Sequence, residues 1–475
     1  MITIKPIIFS ALLPAVFVGC TSTNPKAAFD DVNKTVNMRT GQSVQWSRSD
    51  SSGNEVAKAI QPLLETNLTA QAAVRIALLN NRSLQAEFEG IGISQADMAQ
   101  ASRLKNIELV GSWRFPDRPP SLMDVEYSAA ADFLDLLTLP ARKKIAARNL
   151  EETKLRVADR VLRLASETQT AFYTLQAGEQ LAKRLGVSVE INDAAADVAQ
   201  RQYDAGNIND LELQNQQSSV AQSRLDLMQS QAQARVVRER LNRLLGLAGE
   251  QINWQIADEL PSLPEQESPL ENLESLAVNQ RLDLAAARRQ AESVAAALRL
   301  KNKTRFLPGV TVGVSTERNT DGQRVTGPTL GLELPLFDQG QPALARLAAQ
   351  YRQGQNNYAA MDVNIRSEVR QTREALLAAR NTAEHYSKTL LPQRQKILHE
   401  TLLHYNAMQK NSYDLLAAKE REQLAERGYV EALRDYWIAR AELERAVGGR
   451  LSLTNETNAP AKMNSEQPSH EHPKN

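Results

Sequence analysis

Few side chains in this sequence stand at spacings that chemistry requires. The five histidines are His385, His399, His404, His470 and His472. The first three share one helical stretch at spacings of 14 and 5, and a spacing of 5 does not bring two imidazoles to one helix face. His470 and His472, near Met463, are weak candidates for a soft metal ion, against the plainer reading of an unstructured tail with incidental histidines. No phosphate-binding loop is present, and no nucleophile, base and orienting group recur together. No enzyme and no cofactor are expected. Two carboxylates do stand out. Glu212 and Asp414 lie 202 residues apart, each just after a polar break that opens a long helical pattern. Repeated around a symmetry axis at the narrow end of a pore, such carboxylates would form a cation-attracting ring.

The spacing of 202 belongs to the chain as a whole. "YDAGNINDLELQNQQ" from Tyr203 aligns without a gap on "YNAMQKNSYDLLAAK" from Tyr405, and the match runs on to Gly246 and Gly448. Upstream, Ser166-Glu167 meets Ser367-Glu368 at an offset of 201, and Leu84, Ile107 and Val110 meet Leu284, Leu307 and Val310 at 200. A period this long is no solenoid of 20–50-residue repeats. The sequence reads as one unit present twice, 67–257 and 273–448, joined by the Pro- and acid-rich linker 258–272 and followed by a disordered tail, 449–475.

The N-terminus sets the expected compartment. Residues 1–19 hold Lys5 and an apolar run shorter than the roughly 20 residues of a spanning helix. They read as an export signal ending at Cys20, the only cysteine, so no intrachain disulfide can form. Residues 20–66 are polar and are expected to be mostly irregular, draped over the body. With 56 basic and 56 acidic residues, no net positive field argues for nucleic-acid binding. Beyond the signal no run of 18 apolar residues occurs, so a membrane crossing would need β-strands.

Each unit supplies candidates for them. "IELVGSWRF" and "DVEYSAAADF" in the first unit, and "PGVTVGVSTE" and "VTGPTLGLELPLF" in the second, alternate apolar and polar over about ten residues, the length of a tilted membrane strand. Val125, Tyr127, Ala129, Ala131 and Phe133 share one face, as do Val310, Val312 and Val314, and Leu330, Leu332 and Leu334. Alternation alone fits a soluble hairpin equally well; the export signal and the duplication favour a membrane. Four strands in lipid would leave unpaired edges, so a membrane reading demands several chains, of which three would supply twelve strands. Pro140 and Pro342 mark helix starts. A helix from Ala141 to about Tyr203 follows, roughly 90 Å long, with narrow Ala, Leu and Val stripes suited to coiled-coil packing. Pro392 should kink its counterpart or mark a join. Return helices span 208–246 and 411–447.

"ALLNNRSL" and "LAVNQRLDL" at the heads of the units, the strand pairs before long helices, and "YDAGNINDLEL" leading to "LNRLLG" together resemble the outer-membrane efflux channel family, TolC-like, over about residues 67–448. "FVGC" resembles a bacterial lipoprotein signal, with Phe17 where that pattern has Leu, and points to an acylated, palmitate-bearing Cys20 in the family's lipoprotein branch. The resemblance implies a mainly α fold with membrane β: an internally duplicated long-helix barrel plus four strands per chain, joining in a homotrimer into a 12-stranded barrel in the outer-membrane lipid of a Gram-negative bacterium. It implies a passive duct opened at its periplasmic tip by a periplasmic adaptor and an inner-membrane, proton-driven transporter. Asp414 then resembles the acidic constriction, with Tyr405 and Lys410 tying neighbouring tip helices and Glu212 as their acidic partner. Gly206, Asn207, Asn209, Asp210, Met408 and Asn411 would form the adaptor-contact tip. Met408 stands where the family pattern has Gly, which leaves the second turn's conformation open. The alternative is a periplasmic coiled-coil scaffold lipoprotein without a pore.

Overall fold

The computed structural model describes residues 23–48, 50–119, 122–267, 269–306 and 309–451. In chain order the elements are α1 (Lys26–Thr40), α2 (Asp50–Leu64), α3 (Ala70–Asn80), α4 (Arg82–Ala101), β1 (Glu108–Arg114), β2 (Asp124–Asp132), α5 (Phe133–Asp204) and α6 (Asp210–Leu245). The second half follows with α7 (Leu273–Gln280), α8 (Leu282–Thr304), β3 (Val310–Arg318), β4 (Arg324–Leu332), α9 (Gln341–His385), α10 (Leu391–Asn406) and α11 (Ser412–Val447). The order helix, hairpin, very long helix, turn, helix holds in both halves. No helix among the described residues is long and apolar enough to cross a membrane.

All four strands join one antiparallel sheet in the order β1-β2-β3-β4. The central pairing sets Ala129 opposite Val314 and Ala131 opposite Val312, joining two hairpins far apart in sequence. Because directly opposed residues share a face, the register puts Leu109, Trp113, Tyr127, Val312, Val314, Leu330 and Leu332 on one side. The side chains of Leu109, Trp113, Tyr127, Leu330 and Leu332 are each more than half exposed. The other side carries Glu108, Ser112, Arg114, Asp124, Glu126, Ser128, Ser315 and Glu317, with Val110 and Val325 among them. On it Arg114 reaches Glu126 at 3.0 Å and Asp124 at 3.4 Å.

α5 is 72 residues long, about 108 Å at 1.5 Å per residue. It begins at Phe133, well before the start that Pro140 suggested. The Asp132 carboxylate accepts from the amides of Leu134 and Asp135 and caps the helix, so the chain is helical before it meets the proline. Pro140 lies inside the helix, at an exposed position. Pro342 does sit at a helix start. Pro392 marks a join: a π-helical turn, Tyr386–Leu390, precedes it, and α10 opens around it. Tyr386 there lies against Gly428 of α11, whose missing side chain leaves the room.

The segment 20–66, expected to be irregular, carries two helices. Val32 and Val36 of α1 and Val56 and Ile60 of α2 are buried in the core of the first half. Phe29 and Trp46 pack their rings against Phe88 of α4, and Lys154 of α5 pairs with Asp31 at 2.8 Å. Polar composition hid the apolar positions because a single buried stripe suffices on a helix lying on a surface.

The linker 258–272 is bound rather than loose. Gln176 donates to the carbonyls of Ala257 and Glu259, Trp437 donates to that of Pro261, and Glu267 meets Arg380, Arg440 and the Tyr436 hydroxyl. Burial first, then the hydrogen bond to Glu267, push the Tyr436 phenol up to about 12. The same level holds the stack of Tyr173 on Trp437 at 5.3 Å between α5 and α11.

Each half closes its inner end differently. In the first, Asn80 donates to the carbonyls of Leu245 and Gly246 and Asn81 to that of Leu244. Gly246, at φ +68°, has no room for a side chain beside the Asn80 carbonyl. In the second half Arg281 takes the place of the amide. It reaches the Ala446 carbonyl at 3.4 Å, pairs with Asp283 at 2.6 Å and meets Glu368, which Arg445 also holds. Burial opposes ionisation of Asp283 and Glu368, but hydrogen bonds and charge from Arg281 outweigh it and hold both carboxyls below their usual range. Lowered carboxyl pKa values add stability above the unfolded-state values, about 3.9 for Asp and 4.3 for Glu, and that stability is lost as pH falls through the folded values. Hydrogen exchange in 273–284 is therefore expected to accelerate below about pH 4 more than in 70–84, whose closure is neutral. Arg281→Gln should weaken the second closure at neutral pH by about 1.5–3 kcal/mol and abolish the difference in acid response.

Candidate functional site

The end of the molecule remote from the sheet carries two tight turns. In the first, the amide of Gly206 bonds the Tyr203 carbonyl and that of Asn207 bonds the Gln202 carbonyl, at 2.8 Å each. In the second, Met408 bonds Tyr405 and Gln409 bonds His404, at 2.9 Å each. These are paired 6→1 and 5→2 bonds, which satisfy carbonyls left over at a helix end. Asn209 and Asn411 then cap the return helices with nearly identical backbone angles, φ −92° and −91°.

Such a turn needs one residue in the left-handed region. Gly206 supplies it at φ +74°, Met408 at φ +58°. The second turn therefore keeps the first turn's geometry without the glycine. Left-handed backbone costs an L-residue roughly 1–2 kcal/mol. The Met408 side chain is 95 % exposed, so packing within the chain does not offset that cost.

The predicted residues gather here. Asp414 closes a reciprocal cap: its amide donates to the Asn411 side chain at 2.8 Å and its carboxylate accepts from the Asn411 amide at 3.3 Å. Lys410 lies 3.9 Å from the Asp414 carboxylate, so within one chain its acidic neighbour is Asp414 rather than Glu212. Glu212 donates its amide to Asn209 at 3.0 Å, with no reciprocal bond among the described residues, and Asp210 stands in the same first turn. The charges lie at helix starts, where the dipole favours carboxylates. Tyr405 is two-fifths exposed. The expected signal, Cys20, and the tail beyond Leu451 with His470 and His472 fall outside the described residues. Among the described residues no group of three acidic, His or Cys side chains could hold a metal ion.

One residue escaped the sequence reading. The Tyr413 hydroxyl donates to Gln202 of α5 at 3.2 Å and so ties the two turns together. Its counterpart 202 residues earlier is Leu211, and that departure between matched positions was the available signal. Above Tyr413, α5, α6 and α11 enclose a cleft of about 600 Å³ of mixed lining, with Arg184, Gln222 and Asp226 beside Leu181, Leu185 and Leu416. Arg184 and Glu426 pair across α5 and α11.

No protein-family model matches the sequence, and no curated protein matches it. Solved structures do share the fold. The CmeC outer membrane channel of Campylobacter jejuni aligns with a TM-score of 0.69 at 14 % identity, over 89 % of this chain and 93 % of that one. The outer membrane protein VceC of Vibrio cholerae aligns at 0.65 and 15 %, over 84 % and 97 %. The open state of the Neisseria gonorrhoeae MtrE outer membrane channel aligns at 0.65 and 17 %, over 82 % and 91 %. The chain thus has the fold of TolC-like outer-membrane channels over most of its length.

Replacing Met408 by Gly removes the left-handed strain and adds Gly entropy of roughly 0.5–1 kcal/mol. The expected net effect is stabilisation of the second turn by up to about 1 kcal/mol. Gly206→Met should change the first turn by a similar amount in the opposite sense. Amide exchange of 405–411 and 203–209 in the two variants reads both signs.

Proposed function

We propose that this chain is the subunit of a trimeric, lipid-anchored outer-membrane export duct, passive in itself. The observation that carries the proposal is the sheet. One face is apolar and uncovered, and the other is largely polar and ion-paired. Neither edge strand has a further partner strand among the described residues. The helix-linked end leads directly into α5, about 108 Å long. Burying each large apolar side chain is worth about 1.5–3 kcal/mol, and hydrocarbon outside a closed barrel is a cover that suits all of them at once. Three copies joined edge to edge supply twelve strands and leave none unpaired. A pore-free coiled-coil scaffold accounts for the helices but leaves that apolar face in water.

In this reading the helices continue the barrel as a tunnel through the periplasm, and the turns at 205–209 and 407–411 form its far end. Asp414 and Glu212 recur threefold there, and Tyr405 and Lys410 bind the neighbouring tip. Opening follows when a periplasmic adaptor engages Gly206, Asn207, Asn209, Asp210, Met408 and Asn411 and brings in an inner-membrane pump. The exposed Met408 offers such a partner an apolar anchor. Acylated Cys20 holds the subunit to the outer membrane. The two halves descend from one unit, which the recurrence of turn bonds at a spacing of 202 supports.

Purified, detergent-extracted protein is expected to have a trimer's mass and to give small, cation-selective currents in planar bilayers. A monomer without current, despite native β-sheet content, would replace the duct by the scaffold. Asp414→Asn keeps an acceptor for the α11 cap but removes the charge. It should raise single-channel conductance and weaken cation preference several-fold, and unchanged conductance and selectivity would exclude Asp414 from the constriction.

A further inference from the structure

We infer that the helix-linked end of the sheet is ringed by a basic collar that binds anionic phospholipid headgroups of the adjoining membrane leaflet. The inference rests on the membrane reading of the sheet and adds a ligand class and a location to it. The three segments 101–105, 141–148 and 299–306 contain ten lysine and arginine residues and no acid. They lie just before β1, in the third to fifth turns of α5, and at the end of α8 just before β3. Across the whole chain the charges balance, so this is a local concentration. The far end of the sheet is different: 114–126 and 317–324 together hold four cations and five acids.

Two of the ten cations have acidic partners. Lys105 pairs with Asp132 at 3.1 Å and Arg142 with Asp135 at 2.9 Å. The other eight have no ion pair among the described residues, and Lys143, Lys144 and Lys303 are exposed. Glu108 at the start of β1, and Glu333 and Asp338 on the connection from β4 to α9, are the other nearby acids of this level, so cations remain in excess there. Asp338 accepts from the Gly340 amide.

Geometry puts the collar at the right depth. A nine-residue strand tilted by about 45° covers roughly 21 Å of a hydrocarbon core of about 30 Å. The remaining 9 Å or so must be covered by apolar side chains flanking the sheet. Leu136, Leu137, Phe306, Leu334, Leu336 and Phe337 stand at the helix-linked end, all more than half exposed. At the far end Phe115 alone of the described flanking residues is a large apolar side chain that exposed. At 1.5 Å per residue, 9 Å is about six residues of α5, which ends the hydrocarbon zone near Thr138. The headgroup layer is about 5–8 Å thick, and it then spans roughly residues 139–144, where Arg142, Lys143 and Lys144 stand. An anionic surface attracts juxtamembrane cations additively and over a short, salt-screened range. A neutral surface would leave the unpaired cations of this level, Lys143 and Lys144 among them, without a counter-charge.

The test uses the full trimer reconstituted in nanodiscs of phosphatidylcholine mixed with phosphatidylglycerol. Native mass spectrometry counts the lipids of each class retained as detergent is titrated in. The wild type should retain phosphatidylglycerol preferentially, and raised salt should erase the preference. Each charge removed should weaken retention roughly fivefold, so Lys143→Gln/Lys144→Gln/Lys303→Gln should lose on the order of a hundredfold. Equal retention of the two lipids by the wild type, or an unchanged preference in the triple variant, would overturn the collar. A triple variant that keeps its lipid preference but changes conductance would place these side chains in the lumen instead. Failure of the wild type to enter nanodiscs at all, with its sheet intact, would overturn the membrane reading and the collar with it.

Discussion

The pairing of β2 with β3 is the interaction on which the rest of the structure depends. It unites strands from the two halves of the chain, and it sets Val312 and Val314 beside Ala131 and Ala129. With that register in place the apolar strand residues, Val110, Ala130 and Val325 apart, gather on one face. A slip of one residue would turn the set of one half onto the polar side. α5 follows β2 without a break, so the sheet also sets where that helix begins. Along the helices the union is repeated by the Tyr173–Trp437 stack, the Arg184–Glu426 pair and the linker ties to Glu267.

The long helices bury little individually. Their interior positions are largely Ala, Leu and Val in narrow stripes, which suits side-by-side packing and leaves the termini to be secured by hydrogen bonds. Four helix ends, at Gly206, Met408, Gly246 and Gly448, use the same pair of backbone bonds. Three have glycine at the left-handed position and one has methionine. In the proposed duct the strained one lies at the end that must open. The two turns there differ in charge as well as in strain, since Ile208 of the first stands where the second has Lys410.

Much of the plan was legible in the sequence because it rests on short-range rules. Alternation located the four strands, Gly206, Gly246 and Gly448 located turns, and the constant spacing of 202 set the two turns in correspondence, Asn209 opposite Asn411. The readings that needed revision were those where a tertiary contact outweighs composition. The polar segment 20–66 holds α1 and α2 because Val32, Val36, Val56 and Ile60 find a core already built by α3 to α5. Pro140 does not start α5 because Asp132 caps it earlier. Tyr413 could not be assigned to Gln202 from a sequence in which they are 211 residues apart.

By itself the sequence determined the local alphabet of this protein: which stretches alternate, which run helical, where carboxylates meet helix starts, and that its charges sum to zero. Only the tertiary structure decided that the two hairpins share one sheet and that the second turn keeps its shape with Met408. It also decided that Lys410 faces Asp414, and that ten cations from three separate segments meet at one end of the sheet. The physical reason is range. Periodicity, capping and turn chemistry act within a few residues, whereas strand register and the summed field of separated charges exist only once chain closure has brought remote segments together.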